Sequence, residues 1–488
     1  MKKIILPTLI SIWVNFIIVT AVYADMPYWK TKKPYQGQIS LNEVRDIYSL
    51  NNDWDYLEEN ISAIEVLEDN GLTWNEINLP HTWNAFDATD NEPGYRRDAG
   101  WYRKDIMIPD FNEPRVFRLY FEGINISSEI YVNGRKAGEH VGGYVGFTVD
   151  ITPFIKRGTR NQILVRADNS IDRNIIPSQK SDFFIFGGIV RDVWLQVLNP
   201  TFIEEVHIST PKVTNKIAKT SAEIKMINAT DQTNKYTIEA IVTNADDKVV
   251  SRKSIQKKIG AGTSKIDLNL PDVKNPKLWS PDQPQLHELT LTLKDGEKVV
   301  DQISERFGFR WYEFKENGPF YLNGERLLLR GTHRHEEYAG YGNALPDSLH
   351  RKDIQMIKEM GANFVRLAHY PQDPEIYRAC DELGLLVWDE LPWCRGGMGG
   401  KEWQANSKRL LKEQIEQNFN HPSIILWSVG NEMYWLPDFP NGGDADSLRN
   451  FVKQLNDLAH DLDPHRLTTM RKFNDGPEIT DVFSPSIW

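Results

Sequence analysis

The dipeptide Asn431-Glu432 closes an apolar run, Ile424-Ile425-Leu426-Trp427-Ser428-Val429-Gly430, that reads as a buried strand. A carboxylate at the C-terminal mouth of such a strand sits where parallel α/β barrels do their chemistry. Loops there keep bulk water away, so desolvation is expected to raise the Glu432 pKa and suit it to proton donation near neutrality. The Asn431 amide both donates and accepts, which fits a hydroxylated ligand. The same dipeptide also fits a plain strand end whose Glu caps the next helix. His333 and His335, His369, and Asp389-Glu390 fall at comparable strand ends. Each alone suits a structural role; together they converge on one face. A metal site of His333, His335 and His369 is the weaker reading, because His-x-His is a poor ligand signal by itself.

The elements that must position these residues begin near residue 309, where strand-like and helical segments alternate. Arg326–Arg330, Phe364–Leu367, Leu385–Trp388, Ile424–Gly430, Leu467–Met470 and Val482–Phe483 read as strands. Between them, Ser348–Met360 and Glu375–Leu383 read as helices stopped by Gly361 and Gly384. A third helix surrounds Leu410, Leu411 and Ile415, and a fourth carries the stripe Leu448, Phe451, Val452, Leu455, Ala459 and Leu462. Repeated βα units imply a parallel sheet. The 180 residues from 309 to 488 compare with about 250 for a closed eight-stranded barrel. The expectation is an incomplete (β/α)8 TIM barrel ended after about strand six.

Upstream the chain reads as β-structure. Short alternating runs such as Arg115–Phe121 and Glu129–Val132, with the turn Asn133-Gly134, predict a jelly-roll domain over 41–200. Ala222–Met226, Tyr236–Val242 and Leu289–Leu293 predict an immunoglobulin-like sandwich over 201–308. Residues 25–40 read as a linker. Lys2-Lys3, the apolar stretch to about Thr20 and the small-residue site Val22-Tyr23-Ala24 read as a signal peptide over 1–24, which implies a secreted or periplasmic protein with no membrane span after cleavage. The net charge of −11 among 488 residues argues against nucleic acid. The 15 Trp serve cores and could also stack on sugar rings, and Cys380 and Cys394 permit one disulfide without demanding it.

These motifs, taken in order, resemble glycoside hydrolase family 2, the β-galactosidase, β-glucuronidase and β-mannosidase group. The resemblance runs from about residue 45 onward. It is carried by Gly100–Lys104, Tyr131–Gly134, Gly142-Gly143-Tyr144, and Asp182-Phe183-Phe184 followed by Gly187–Val193. It continues through Trp279-Ser280-Pro281, Phe307–Arg310, Leu322-Asn323-Gly324, Arg330-Gly331 with His335-Glu336, and Arg366 with His369-Tyr370-Pro371. Asp389-Glu390 and His421-Pro422-Ser423 lead to Asn431-Glu432.

The resemblance implies a retaining exo-β-glycosidase, with Glu432 as general acid/base and Asn431 holding the sugar 2-hydroxyl. It implies that His335 and His369 bind sugar hydroxyls and that Asp182 reaches from the first domain to the distal hydroxyls of the glycone; Asp182 also suits a turn brace beside Gly187-Gly188. The family's nucleophile is a Glu at the end of strand seven, so no residue here takes that part, and the polypeptide as given is expected to be poorly active or inactive. Where magnesium-using galactosidases carry Glu and His, this chain has Cys394 and Gly396, so no metal and no cofactor are expected. The leading expectation is a β-galactosidase. The alternatives are a β-glucuronidase, whose family keeps its donors for the substrate carboxylate beyond strand seven, and a truncated, non-catalytic carbohydrate-binding protein. The partner in each case is the end of an oligo- or polysaccharide. A homo-oligomer is compatible with the chain, whose sequence leaves the oligomeric state undefined.

Overall fold

A computed structural model describes residues 32–485 apart from 40, 42 and 70. The expected leader lies outside the described residues, as do 25–31 of the expected linker. The rest of that linker is not featureless: Lys32–Pro34 forms a strand parallel to Arg45–Ser49. Backbone pairing there outweighs the polar composition that suggested a lead-in.

The first domain packs a five-stranded sheet against a six-stranded one. Alternation along strands such as Ala99–Ile108, paired antiparallel with Thr159–Asp168, turns every second side chain inward. Trp54, Tyr102, Ile106, Phe121, Ile163 and Leu195 belong to the resulting core. The second domain is a two-sheet sandwich whose long strands Thr201–Val213, Ile217–Asn228 and Asn234–Asn244 alternate in the same way. Its core includes Ile224, Ile238, Val242 and Leu291.

The third unit holds the candidate site. Six parallel strands run in chain order: β1 (Gly331–Arg334), β2 (Phe364–Leu367), β3 (Leu386–Glu390), β4 (Ile424–Asn431), β5 (Leu467–Arg471) and β6 (Val482–Ser484). Helices α1 (Asp347–Glu359), α2 (Pro374–Leu383), α3 (Lys401–Asn418) and α4 (Ala445–Leu462) cross between the first five. The first strand differs from expectation. The run 326–330 leads out of a small hairpin, and β1 begins at Gly331, whose pairing with Phe364 is so close that a Cβ would lie 1.9 Å from the Phe364 carbonyl oxygen. β3 extends through Asp389 and Glu390, so strand alternation separates them. Asp389 faces the helices and accepts from Tyr377 at 2.7 Å and Asn418 at 3.1 Å, whereas Glu390 faces the sheet interior. Among the described residues no helix is long and apolar enough to cross a membrane. Cys380 and Cys394 are both buried and free, so the permitted disulfide is absent.

Candidate active site

Glu390 is the hub of the interior polar network. Arg366 grips it bidentately, Nη2 to Oε1 at 2.6 Å and Nε to Oε2 at 2.9 Å. Trp388 Nε1 donates at 2.9 Å, Ser428 Oγ donates at 3.1 Å, and His369 Nδ1 lies 2.7 Å away. Burial alone would raise this carboxyl, but Arg366 and His369 outweigh it and hold the pKa at about 2. An ionised Glu390 orients the His369 ring, fixing where the other ring nitrogen points.

Asn431 ends β4. Strict alternation would set it on the helix side with Trp427 and Val429, but the pairing of β4 with β5 slips between Ser428 and Asn431. The slip turns the amide inward: Oδ1 accepts from Arg366 and Arg471, each at 3.1 Å, and Nδ2 donates to Cys394 Sγ at 3.3 Å. Glu432 follows in the left-handed region at φ 49°, a conformation a non-glycine residue adopts only where its surroundings hold it.

The Glu432 side chain is 4% exposed, and its carboxylate is ion-paired. Oε1 accepts from Arg471 at 3.0 Å and Lys472 at 3.3 Å, and Oε2 accepts from Arg395 at 3.3 Å. This corrects the expected raised pKa. Burial does push the carboxyl up, yet Lys472, Arg471 and Arg395 together hold it below the usual carboxylate range. At rest Glu432 is an ion.

The histidines stand side by side, His335 with its ring centroid 6.4 Å from His333 and 5.1 Å from His369. Burial, then the neighbouring histidines, drops His335 to about 4, so it is neutral at physiological pH. The converging donor set is not the histidine trio. Among the described residues it is Asp182, His369 and Cys394, whose donor atoms lie within 4.8 Å of one another. Arg395 already supplies positive charge there, 2.7 Å from Asp182, and burial pushes the Cys394 thiol up to about 12.

Asp182 arrives from the first domain and pairs with Arg395. Its neighbour Phe183, given no part by the sequence reading, lies over the site, with ring centroids 5.5 Å from His335, 5.9 Å from His369 and 5.3 Å from Tyr370. Arg395, Arg471 and Lys472 were likewise not among the residues expected at the mouth. The one available signal was their place just after β3 and at the end of β5, where mouth residues belong.

The mouth thus unites a carboxylate, an amide, imidazoles and cations from the strand ends with an acid and an aromatic from a β-domain lying over it, the layout of a multidomain barrel protein with a composite site. The family model for glycosyl hydrolases family 2, sugar binding domain, matches residues 70–199, that for glycosyl hydrolases family 2 matches 201–310, and that for the family 2 TIM barrel domain matches 313–487. The chain belongs to glycoside hydrolase family 2. It is 53% identical, over 96% of its length, to a Formosa agariphila protein named "Putative beta-glucuronidase", of which it covers 56%. It is 34% identical, over 90% of its length, to the β-galactosidase of Thermoanaerobacter pseudethanolicus, of which it covers 58%. Its structure matches that of Parabacteroides merdae β-glucuronidase with a TM-score of 0.85 at 38% identity, covering 91% of this chain and 59% of that one. The chain therefore spans a little under three-fifths of the length of these relatives.

Proposed function

We propose that the protein is a retaining exo-β-glycosidase of the β-glucuronidase type, removing terminal β-linked sugars from oligo- or polysaccharides. The relatives support the glucuronidase alternative over the leading galactosidase expectation: the relative at 53% identity is named "Putative beta-glucuronidase", and the β-galactosidase stands at 34%. The observation that carries the reading is the convergence of Glu432, Asn431, His369 and Asp182, from two domains, on one barrel mouth. Glu432 protonates the departing glycosidic oxygen and later deprotonates water. Asn431 holds the 2-hydroxyl, His335 and His369 hold further hydroxyls, and Asp182 meets the distal side of the glycone. Glu390 is spent on Arg366 and is not assigned as the nucleophile. The leader-like residues 1–24 support export.

Because Glu432 is an ion at rest, its acid role requires bound substrate to draw a cation away from it, so that the carboxylate takes up a proton from solvent before donating it to the glycosidic oxygen. The same observation favours a second reading, a carbohydrate-binding protein that does not cleave. A panel of 4-nitrophenyl β-glycosides offered to the full-length protein separates the two. The enzyme reading predicts saturable release of nitrophenol with the glucuronide ahead of the galactoside. Saturable sugar binding without release supports the second reading.

A further inference from the structure

We propose that Arg395 recognises the carboxylate of an anionic terminal sugar and so selects uronides over neutral glycosides. The inference rests on the β-glucuronidase reading and names a selecting cation within this chain.

Arg366 is committed to Glu390 in the barrel interior, while Arg471 and Lys472 reach Glu432 from the end of β5. Arg395 differs in bridging site carboxylates from two domains, with Nη2 2.7 Å from Asp182 Oδ2 and Nε 3.3 Å from Glu432 Oε2. Its third nitrogen, Nη1, meets no acceptor among the described residues. The backbone beneath is fixed: φ is 59°, the amide N–H donates to the Asn431 carbonyl at 3.0 Å, and the guanidinium lies 5.0 Å over the Trp435 ring. The anion partners are looser. The Asp182 side chain is 48% exposed, and the Glu432 contact is long for a charge-assisted bond.

A guanidinium on a fixed stem, shared between an exposed carboxylate and a long contact, exchanges partners at little cost. A planar sugar carboxylate entering between Asp182 and Glu432 meets the paired Nη1 and Nη2 edge and can accept two parallel bonds. A neutral hydroxymethyl group offers no charge and leaves Arg395 parked on Glu432. Recognition of the uronide thus also frees Glu432 Oε2 from Arg395, leaving that carboxylate able to take up a solvent proton.

The test compares wild type with Arg395→Gln and Arg395→Lys in the full-length protein, using 4-nitrophenyl β-glucuronide and β-galactoside, with thermal melts to check folding. Arg395→Gln should lower kcat/KM for the glucuronide at least ~30-fold more than for the galactoside, chiefly through KM, the size expected for a lost charged bidentate contact. Arg395→Lys keeps the charge without the fork and should recover part of the loss. If the glutamine variant does not fold, the lysine variant must still raise KM for the glucuronide. Proportional losses on both substrates, or unchanged glucuronide KM in either folded variant, would overturn the assignment while leaving the glucuronidase reading standing. A wild type inert toward the glucuronide sinks that reading and the assignment together.

Discussion

At the scale of single residues, the ionic state of Glu432 governs everything that follows. Three cations hold its carboxyl down against the burial that pushes it up. The sign of a substitution follows directly: a cation stabilises the ionised form, so removing one raises the pKa. Lys472→Met should therefore move the alkaline limb of kcat/KM to higher pH, since that limb reports the acid that must be protonated in the free protein. An unmoved limb would mean that Lys472 does not govern the donor. Glu432 itself was legible from the strand that carries it. Its partners were not, because Arg395, Arg471 and Lys472 stand 37, 39 and 40 residues away with no periodicity linking them to it. Arg471 ends β5, while Arg395 and Lys472 stand on the loops that follow β3 and β5, and loops leave little pattern in a sequence.

At the scale of elements, the helices were the most legible part. Apolar stripes and the glycines that stop α1 and α2 place them within a residue or so of where they lie. Gly384, at φ 75°, ends α2, and a Cβ there would stand 2.3 Å from the carbonyl oxygen of Pro281 in the neighbouring domain. Gly384→Ala adds left-handed strain to a backbone clash and should cost about 2–4 kcal/mol, read by urea denaturation. β1 was misplaced for a physical reason as well. It is held by close pairing with β2 rather than by apolar content, so the hydrophobic run beside it drew the assignment. Within α1, His350 is buried, and burial first of all drops it to about 3 from an ordinary 6.5. The unfolded chain takes up a proton below about 6.5 that the folded chain refuses until about 3, so this histidine subtracts stability as pH falls through that window. Relative to His350→Gln, wild type should lose roughly 2 kcal/mol between pH 7 and pH 5. A difference that stays constant with pH would show that the imidazole is already charged in the fold.

At the scale of the molecule, the site exists because the first domain is fastened to the barrel. Arg191, from that domain, is fully buried against Glu336 at 2.9 Å and also donates to the carbonyls of Tyr144 at 2.9 Å and Pro371 at 2.8 Å. The pair lies near Tyr370, on which Phe183 rests, and so bears on where Asp182 sits. Arg191→Met leaves the Glu336 charge buried without its partner. The expected loss is about 3–5 kcal/mol, and scanning calorimetry should show the first domain and the barrel separating into distinct transitions. A single unshifted transition would mean that the domains are held by something else. The order of the three domains was readable from the change in periodicity near residue 309. Their mutual placement was not, since Arg191 and Glu336 are 145 residues apart and neither looks unusual alone.

As proposed above, Glu432 hands a proton to the glycosidic oxygen. Loss of a proton donor harms a poor leaving group far more than a good one, because an acidic phenol departs without help. In the full-length protein, Glu432→Gln should cut kcat for a methyl or saccharide β-glucuronide by about 10²–10⁴, with a much smaller loss for the 4-nitrophenyl glucuronide. Equal fractional losses on both, or no loss on either, would contradict it.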